Sequence, residues 1–408
     1  MLERLMAGFI RIGRLVIIRA NGRKLEVGHV PDDAPQLDVA VRLGSRWTAL
    51  KVLAKPALGF GEAYMDGEIV LERGSLSDLF EIANRNLPHR RKWHVPVLSP
   101  LSLALRRRLQ QWNSRRAAKR NAAHHYDLSQ TLFRAFLDRD LQYSCAYFRE
   151  PSFSLEAAQA AKKRHIMAKL LLRPGLSVLD IGSGWGGLAL DIARSGARVT
   201  GITPAAEQIA VACERAAAAG LSDRVCFEPR DYRETEGPFD RIVSVGMFEH
   251  VGAPNYPAFF RRIAQLLKED GVALIHAIGR IDGPGTTDAW TRKYIFPGGY
   301  IPALSEVIPV VERSGLWITD IEVLRLHYAE TLRHWRLRFL AQREAMRSLY
   351  DERFCRMWEL YLAGSEMAFR HGGLMVFQLQ LARRIETVPL TRDYMLDREE
   401  TLSAAAAE

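Results

Sequence analysis

Only four cysteines occur in the 408 residues, Cys145, Cys213, Cys226 and Cys355, and no two of them form a C-x-x-C pair. That scarcity argues against a disulfide framework and against a cysteine-ligated metal, and no metal site is expected; it fits a reducing compartment. Long apolar runs are missing as well. Residues 1–18 are apolar but broken by Glu3, Arg4, Arg11 and Arg14, so they lack a signal-peptide core. Nowhere do roughly 20 apolar residues follow one another, which argues against a transmembrane helix and leaves a cytoplasmic protein as the expectation. The third absence is local. Residues 89–120 contain no acid but ten basic residues: Arg90, Arg91, Lys92, Arg106, Arg107, Arg108, Arg115, Arg116, Lys119 and Arg120. Taking these ten from the total of 57 leaves 47 basic residues against 47 acidic ones, so one segment carries the whole net charge of +10.

What is present is ordinary in bulk: 48% apolar and 25% charged residues predict a folded chain. The length suits a catalytic domain with a smaller companion. In the basic segment Leu101, Leu103, Leu105, Leu109 and Trp112 lie among the arginines. Such a helix reads as a contact with an anionic membrane surface, which attracts each basic residue by about 1 kcal/mol. A solvated linker is the plain alternative; nucleic acid is disfavoured because no binding motif or aromatic interleaving accompanies the charge.

Residues 177–187 organise the rest. The β-rich run Ser177-Val178-Leu179-Asp180-Ile181 leads into Gly182-Ser183-Gly184-Trp185-Gly186-Gly187 and then a helical pattern. Glycines there let the backbone approach a nucleotide-like ligand closely. Gly182, Gly184 and Gly187 match G-x-G-x-x-G, so a dinucleotide site must be weighed. It needs an acid at the end of the next strand, about 20 residues on. Here Thr203-Pro204 stands instead, while Asp180 precedes the first glycine. A carboxylate there suits a cationic ligand without pyrophosphate, and S-adenosylmethionine is such a ligand.

Along the chain, residues 1–87 show short β-like runs, turn signals at Asn21-Gly22 and Pro31-Asp32-Asp33, and a helix over Leu76–Asn86. They predict a small accessory α/β domain and nothing sharper. Residues 88–122 form the basic linker, 123–395 the catalytic domain, and 396–408 a tail fraying at its alanines. From residue 177 strands and helices alternate: strands at 177–181, 198–202, 224–228, 239–245, 271–278, 316–325 and 374–381. That order predicts an α/β fold, a Rossmann-like, mostly parallel seven-stranded sheet of the class I methyltransferase type, with ligands at the strand ends. Helices near 329–346 and 351–370 are expected to cover the site.

Several runs resemble one family. These are His125-Tyr126-Asp127-Leu128-Ser129, Gln142-Tyr143-Ser144-Cys145-Ala146-Tyr147-Phe148, Gly246-Met247-Phe248-Glu249-His250-Val251-Gly252 and Tyr294-Ile295-Phe296-Pro297-Gly298-Gly299. They are similar to those of the cyclopropane-fatty-acyl-phospholipid synthases and mycolic acid cyclopropane synthases, and the resemblance extends over nearly the whole chain. This resemblance alone gives the accessory domain a lipid-binding role. It implies S-adenosylmethionine held by Tyr143, Ser144, Asp180, Gly182, Gly184, Thr203, Gln208, Asp231 and Tyr232, with Asp231-Tyr232 at the adenine. It implies methyl transfer to a cis double bond of a phospholipid acyl chain, then removal of one proton by a bicarbonate ion. That ion would be held by Cys145, Glu249, His276, Ile278 and Tyr328: main-chain donors from Cys145 and Ile278, Glu249 orienting His276, and Tyr328 donating a hydrogen bond. His125 and Tyr126 would cap or line the cofactor cleft. An anionic membrane surface is the expected partner, nucleic acid is not, and a homodimer is compatible.

Three motifs depart from the family pattern. Ser183 replaces a cysteine, Thr203-Pro204-Ala205 replaces Thr-Leu-Ser and removes a hydroxyl near the ribose, and Ser365 stands where many relatives have cysteine. Rival readings are a methyltransferase giving methyl-branched or methylene fatty acids or acting on a small-molecule amine, a lipid-binding protein without catalysis, and an NAD-dependent oxidoreductase.

Overall fold

The computed structural model describes residues 10–86 and 129–405. The basic segment and the His125-Tyr126 run lie outside them. The chain divides into two compact units, which do not follow sequence order.

Among the described residues, the first unit gathers 10–86, 287–297 and 329–374. Its sheet contains β1 (Gly13–Ile18), β2 (Lys24–His29), β3 (Asp38–Leu43) and β4 (Ile69–Arg73), in the order β2-β1-β3-β4. The Asn21-Gly22 signal makes the β1–β2 turn, with Gly22 at φ +78°. The run containing Gly59, Gly61 and Gly67 is mostly a helix, Pro56–Met65, begun by proline at its first position. Its glycines serve packing. A Cβ on Gly59 would lie 2.2 Å from the Lys51 carbonyl oxygen of helix Arg46–Ala54, and one on Gly61 would lie 2.2 Å from the Trp290 ring. Helices His327–Ala341 (from Ala329), Arg343–Leu349 and Glu352–Arg370 belong to this unit rather than to the sheet domain the sequence assigned them to.

The second unit holds the seven-stranded sheet: β5 (Ser177–Ile181), β6 (Arg198–Ile202), β7 (Val225–Glu228), β8 (Phe239–Val245), β9 (Leu267–Arg280), β10 (Trp317–Leu324) and β11 (Leu374–Ala382). The order is β10-β11-β9-β8-β5-β6-β7. Pairs β5/β6, β6/β7, β5/β8 and β8/β9 are parallel, while β10 and β11 run antiparallel. The chain builds outward from β5 through β6 and β7, then returns to β8 on the other side. That reversal opens a crevice at the carboxyl ends of β5 and β8, where ligands bind in such sheets. One apolar cluster packs helix Tyr256–Leu266 on β8, β9 and β11; another packs helices Leu155–Lys169, Gly187–Arg194 and Ala206–Ala218 around β5 and β6.

The tail is not frayed up to its final alanines. Helix Asp393–Ala405 buries Met395 and Glu399, and Glu399 bonds to His165 on helix Leu155–Lys169. No described helix is long and apolar enough to cross a membrane.

Candidate active site

Asp180 ends the apolar run of β5 and is 2% exposed. Loss of water pushes its carboxyl up to about 7, with Lys162 pulling the other way. The chain then turns sharply, with Gly182, Gly184 and Gly186 at φ +89°, +52° and +83°. Both the Gly182 and Ser183 amides donate to the Ile202 carbonyl, at 2.9 and 3.2 Å, which ties the turn to the end of β6. A Cβ on Gly186 would strike Phe227 and Ala212, whereas one on Gly184 would meet no described atom within 4 Å. Gly184 therefore faces room for a ligand beside a buried carboxylate, and helix Gly187–Arg194 starts from the same turn.

Thr203 and Gln208 are both buried, and the Thr203 hydroxyl donates to Gln208 Oε1 at 3.1 Å. Asp231 differs from expectation. Its carboxylate accepts from the Arg233 amide at 2.9 Å and the Arg233 guanidinium at 2.8 Å, so its own neighbour engages it. Tyr232 stands edge-on to Phe259 at 5.2 Å, with the Arg233 guanidinium 5.6 Å over its ring.

The 138–148 loop brings Tyr143, Ser144 and Cys145. Tyr143 packs edge-on against Phe133 and Phe136, and Phe133 in turn meets Trp185. Helix Leu155–Lys169 fastens this loop with side chains the sequence reading passed over. Gln159 Nε2 donates to the carbonyls of Gln142 and Ser144, and Lys162 Nζ donates to Gln142 Oε1 and, at 3.0 Å, to Ser144 Oγ. Asp140 accepts from Lys163 and pairs with Arg215. Burial, helped by the neighbouring Lys163 charge, pushes Lys162 down to about 8. The Lys162 charge favours the ionised form of Asp180 and disfavours a second proton on His276. The one signal in the sequence was a helix with lysines on several faces; a buried lysine is rare enough that such residues are read as solvated.

Glu249 sits in the turn Phe248–His250 after β8, while His276 and Ile278 lie two residues apart on β9. Glu249 Oε1 accepts the Ile278 amide proton at 2.7 Å. Glu249 Oε2 is buried with no hydrogen-bond partner, and burial pushes the carboxyl up to about 7. A carboxylic acid that stays protonated near neutrality can donate from that oxygen to an anion. Two expectations are corrected. The Ile278 amide is spent on Glu249, and Glu249 does not orient His276. Gln378 does: its Nε2 lies 3.1 Å from His276 Nδ1. The His276 ring is 2% exposed, and burial together with the charges of Lys162, Lys169 and His165 pushes it down to about 3.

Cys145 is buried and its thiol donates to the Ala146 carbonyl at 3.3 Å. Tyr328 is buried in the first turn of helix His327–Ala341, next to His327, whose Nδ1 accepts from the Phe148 amide at 3.0 Å. Tyr147 links the same region by stacking on His165 at 4.3 Å and packing on His327 at 5.0 Å. Among the described residues no group of three or more His, Cys, Asp or Glu is placed to hold a metal.

The residues thus form a buried acid beside an open glycine turn, and a second buried acid and a neutral imidazole on the next strands. The first fits a sulfonium or ammonium cation; the orphaned Glu249 oxygen and the His276 ring fit a small oxyanion.

Residues 113–379 match the family model described as mycolic acid cyclopropane synthetase. The chain is 40% identical over 350 residues to tuberculostearic acid methyltransferase UfaA1 of Mycobacterium tuberculosis, covering 80% of this chain and 79% of that one. It is 38% identical over 340 residues to cyclopropane-fatty-acyl-phospholipid synthase of Escherichia coli, covering 82% and 86%. In three dimensions it matches the crystal structure of mycolic acid cyclopropane synthase CmaA1 complexed with SAH and CTAB. That match has a TM-score of 0.61 at 32% identity, over 64% of this chain and 97% of that one.

Proposed function

The chain belongs to the mycolic acid cyclopropane synthetase family of S-adenosylmethionine-dependent methyltransferases, and on that premise we propose that it converts a cis double bond in a membrane phospholipid acyl chain into a cyclopropane ring. When bound, S-adenosylmethionine supplies an electrophilic methyl group and bicarbonate a base. The alkene electron pair takes the methyl carbon and leaves a cation on the acyl chain. Loss of one proton from the added carbon closes the ring, and S-adenosylhomocysteine is the other product. An alkene needs no enzymic nucleophile, so the protein's work is binding, orientation and charge.

Asp180 holds the cationic end of the cofactor against the Gly184 turn, and Thr203 and Gln208 meet its ribose. Tyr143, Ser144, Asp231 and Tyr232 complete the pocket, Asp231 through whatever its pairing with Arg233 leaves open. Glu249, His276 and Tyr328 hold the base, with Ile278 fixing Glu249 and Cys145 contributing main chain. The observation that carries this reading is Glu249: a buried carboxyl, one oxygen anchored by Ile278 and the other unpartnered, at the ligand edge of the sheet. Such an atom wants an acceptor or a donor from outside the protein.

Membrane contact has two supports. One is the acid-free basic segment. The other is helix Arg46–Ala54, where Trp47, Leu50 and Leu53 are 60%, 51% and 58% exposed among Arg46, Lys51 and Lys55. Exposed apolar side chains ringed by basic ones fit an anionic lipid surface.

The test is purified protein with S-adenosylmethionine and vesicles of anionic phospholipid bearing cis-monounsaturated chains, followed by mass spectrometry and NMR of the acyl methyl esters. A gain of one CH₂ with loss of the alkene signal and appearance of ring protons is expected. The same mass gain with a double bond retained would favour the second reading, methylation without ring closure, which the 40% identity to a protein named a methyltransferase recommends. No mass gain with cofactor bound would overturn both.

A further inference from the structure

We propose that Gln378 and Lys169 are positioning residues that fix His276 as the tautomer with its proton on Nε2, so that the ring offers the bound anion a hydrogen-bond donor and takes up no proton there. The proposal rests on the reading of His276 as part of the anion site.

Donors and acceptors around the ring decide its tautomer. The Gln378 side chain lies between Lys169 and His276 and is fully buried. Lys169 Nζ, 2.8 Å from Gln378 Oε1, has only protons to give, so the oxygen of the amide must face it. The amide nitrogen is then the atom 3.1 Å from His276 Nδ1, and it too can only donate. Nδ1 must therefore accept, and the proton of the neutral ring sits on Nε2. This assignment does not depend on telling amide oxygen from nitrogen by position, because the lysine settles it.

Lys169 is itself locked. It is 0% exposed, ion-paired with Glu322 and 3.7 Å from Asp320. Glu322 pairs across β10 and β11 with Gln378, so strand register puts the carboxylate and the amide side by side. The same Glu322 oxygen lies 2.6 Å from His165 Nε2, and His165 Nδ1 lies 2.5 Å from Glu399. A chain of buried side chains thus runs from helix Asp393–Ala405 to the ring of His276. The ring stays neutral first because it is buried, and the charges of Lys162, Lys169 and His165 add to this, since a second proton would face them across a dry interior.

A neutral ring donating from Nε2 can steady an oxyanion but cannot act as a general base from that nitrogen. The proton lost on ring closure then goes to the bound anion, and the histidine's part is to hold that anion.

The test is ¹⁵N-labelled full-length protein, with the His276 ring assigned by comparison with His276→Ala. Long-range ¹H–¹⁵N spectra should show a pyridine-like Nδ1 and a pyrrole-like Nε2; the reverse would overturn the proposal. Gln378→Glu supplies the functional arm. Its carboxylate can take Lys169 on one oxygen and an Nδ1–H on the other, reversing the tautomer. We expect kcat to fall by about 10- to 100-fold with S-adenosylmethionine affinity unchanged. A reversed tautomer with wild-type kcat would overturn the role in turnover. If His276→Ala itself kept wild-type turnover, the anion-site reading would fail, a result told apart by the wild-type spectrum still showing the Nε2–H ring.

Discussion

Replacing Asp180 with asparagine tests the cofactor site through its protonation. The carboxyl moves from 3.8 to about 7 because burial strips its water. At about 1.36 kcal/mol per unit, a lift of roughly three units means that keeping the charged form buried costs about 4 kcal/mol above pH 7. For an acid raised in this way the cost is absent below its unfolded pKa, grows as pH rises through the interval, and is constant above the folded value. A cationic ligand reverses the balance, because it favours the carboxylate. Binding of S-adenosylmethionine should therefore expel about half a proton at pH 7, and its affinity should fall about tenfold per pH unit below 7 and level off above. Asparagine keeps the shape and loses the charge. We expect its affinity to be insensitive to pH and about 100-fold weaker at pH 8, a loss of ~2.7 kcal/mol. We also expect the ligand-free variant to be more stable than wild type at pH 8 by about 2–4 kcal/mol. Isothermal titration at pH 6, 7 and 8, in buffers of different ionisation heat, measures affinity and proton release together; urea unfolding gives the stability. Wild-type affinity that is flat between pH 6 and 8, or an asparagine variant that binds as tightly at pH 8, would mean that the Asp180 carboxylate does not meet the charge of the ligand.

Glu249→Gln should lower kcat by about 10²- to 10³-fold while S-adenosylmethionine binding, read by titration, stays near wild type; a near-normal kcat would mean that Glu249 holds nothing essential. Gly59→Ala places a Cβ 2.2 Å from the Lys51 carbonyl oxygen, a backbone atom that cannot swing away. It should cost the first unit about 1–3 kcal/mol, seen as a lower urea midpoint, and an unchanged midpoint would contradict the close helix approach. Replacing Trp47, Leu50 and Leu53 together with serine should weaken co-sedimentation with anionic vesicles and raise KM for vesicle substrate while leaving cofactor affinity intact. Equal sedimentation of variant and wild type would remove that helix from the membrane face.

Much of the fold was legible because its signals are local. The β-rich run from Phe239 to Val245 lies between Pro238 and Gly246, and its bounds as a strand were read correctly. β5 and β6 were placed the same way, and the alternation after them predicts the parallel sheet. β2 and β4 were missed; their burial is thin, with β2 hiding only Leu25 and Val27. Gly59 and Gly61 carried no assignment in the sequence, and they serve close helix packing. In the candidate site, motif runs singled out the residues, and chemistry said what kind of ligand each suits.

Who holds whom was not legible. The parallel sheet, the glycine turn with its acid, and the side chains at the strand ends could be read from the residues, because each follows from backbone preference and residue type over a few positions. That Gln378 rather than Glu249 grips His276, that Ile278 spends its amide on Glu249, and that Arg233 occupies Asp231 became visible once the chain was folded. So did the joining of residues 287–297 and 329–374 to the N-terminal region. The reason is physical. Lys169 and Gln378 are 209 positions apart and fully buried, and they become partners only where the end of helix Leu155–Lys169 packs on β11, an arrangement that no local stretch of residues encodes.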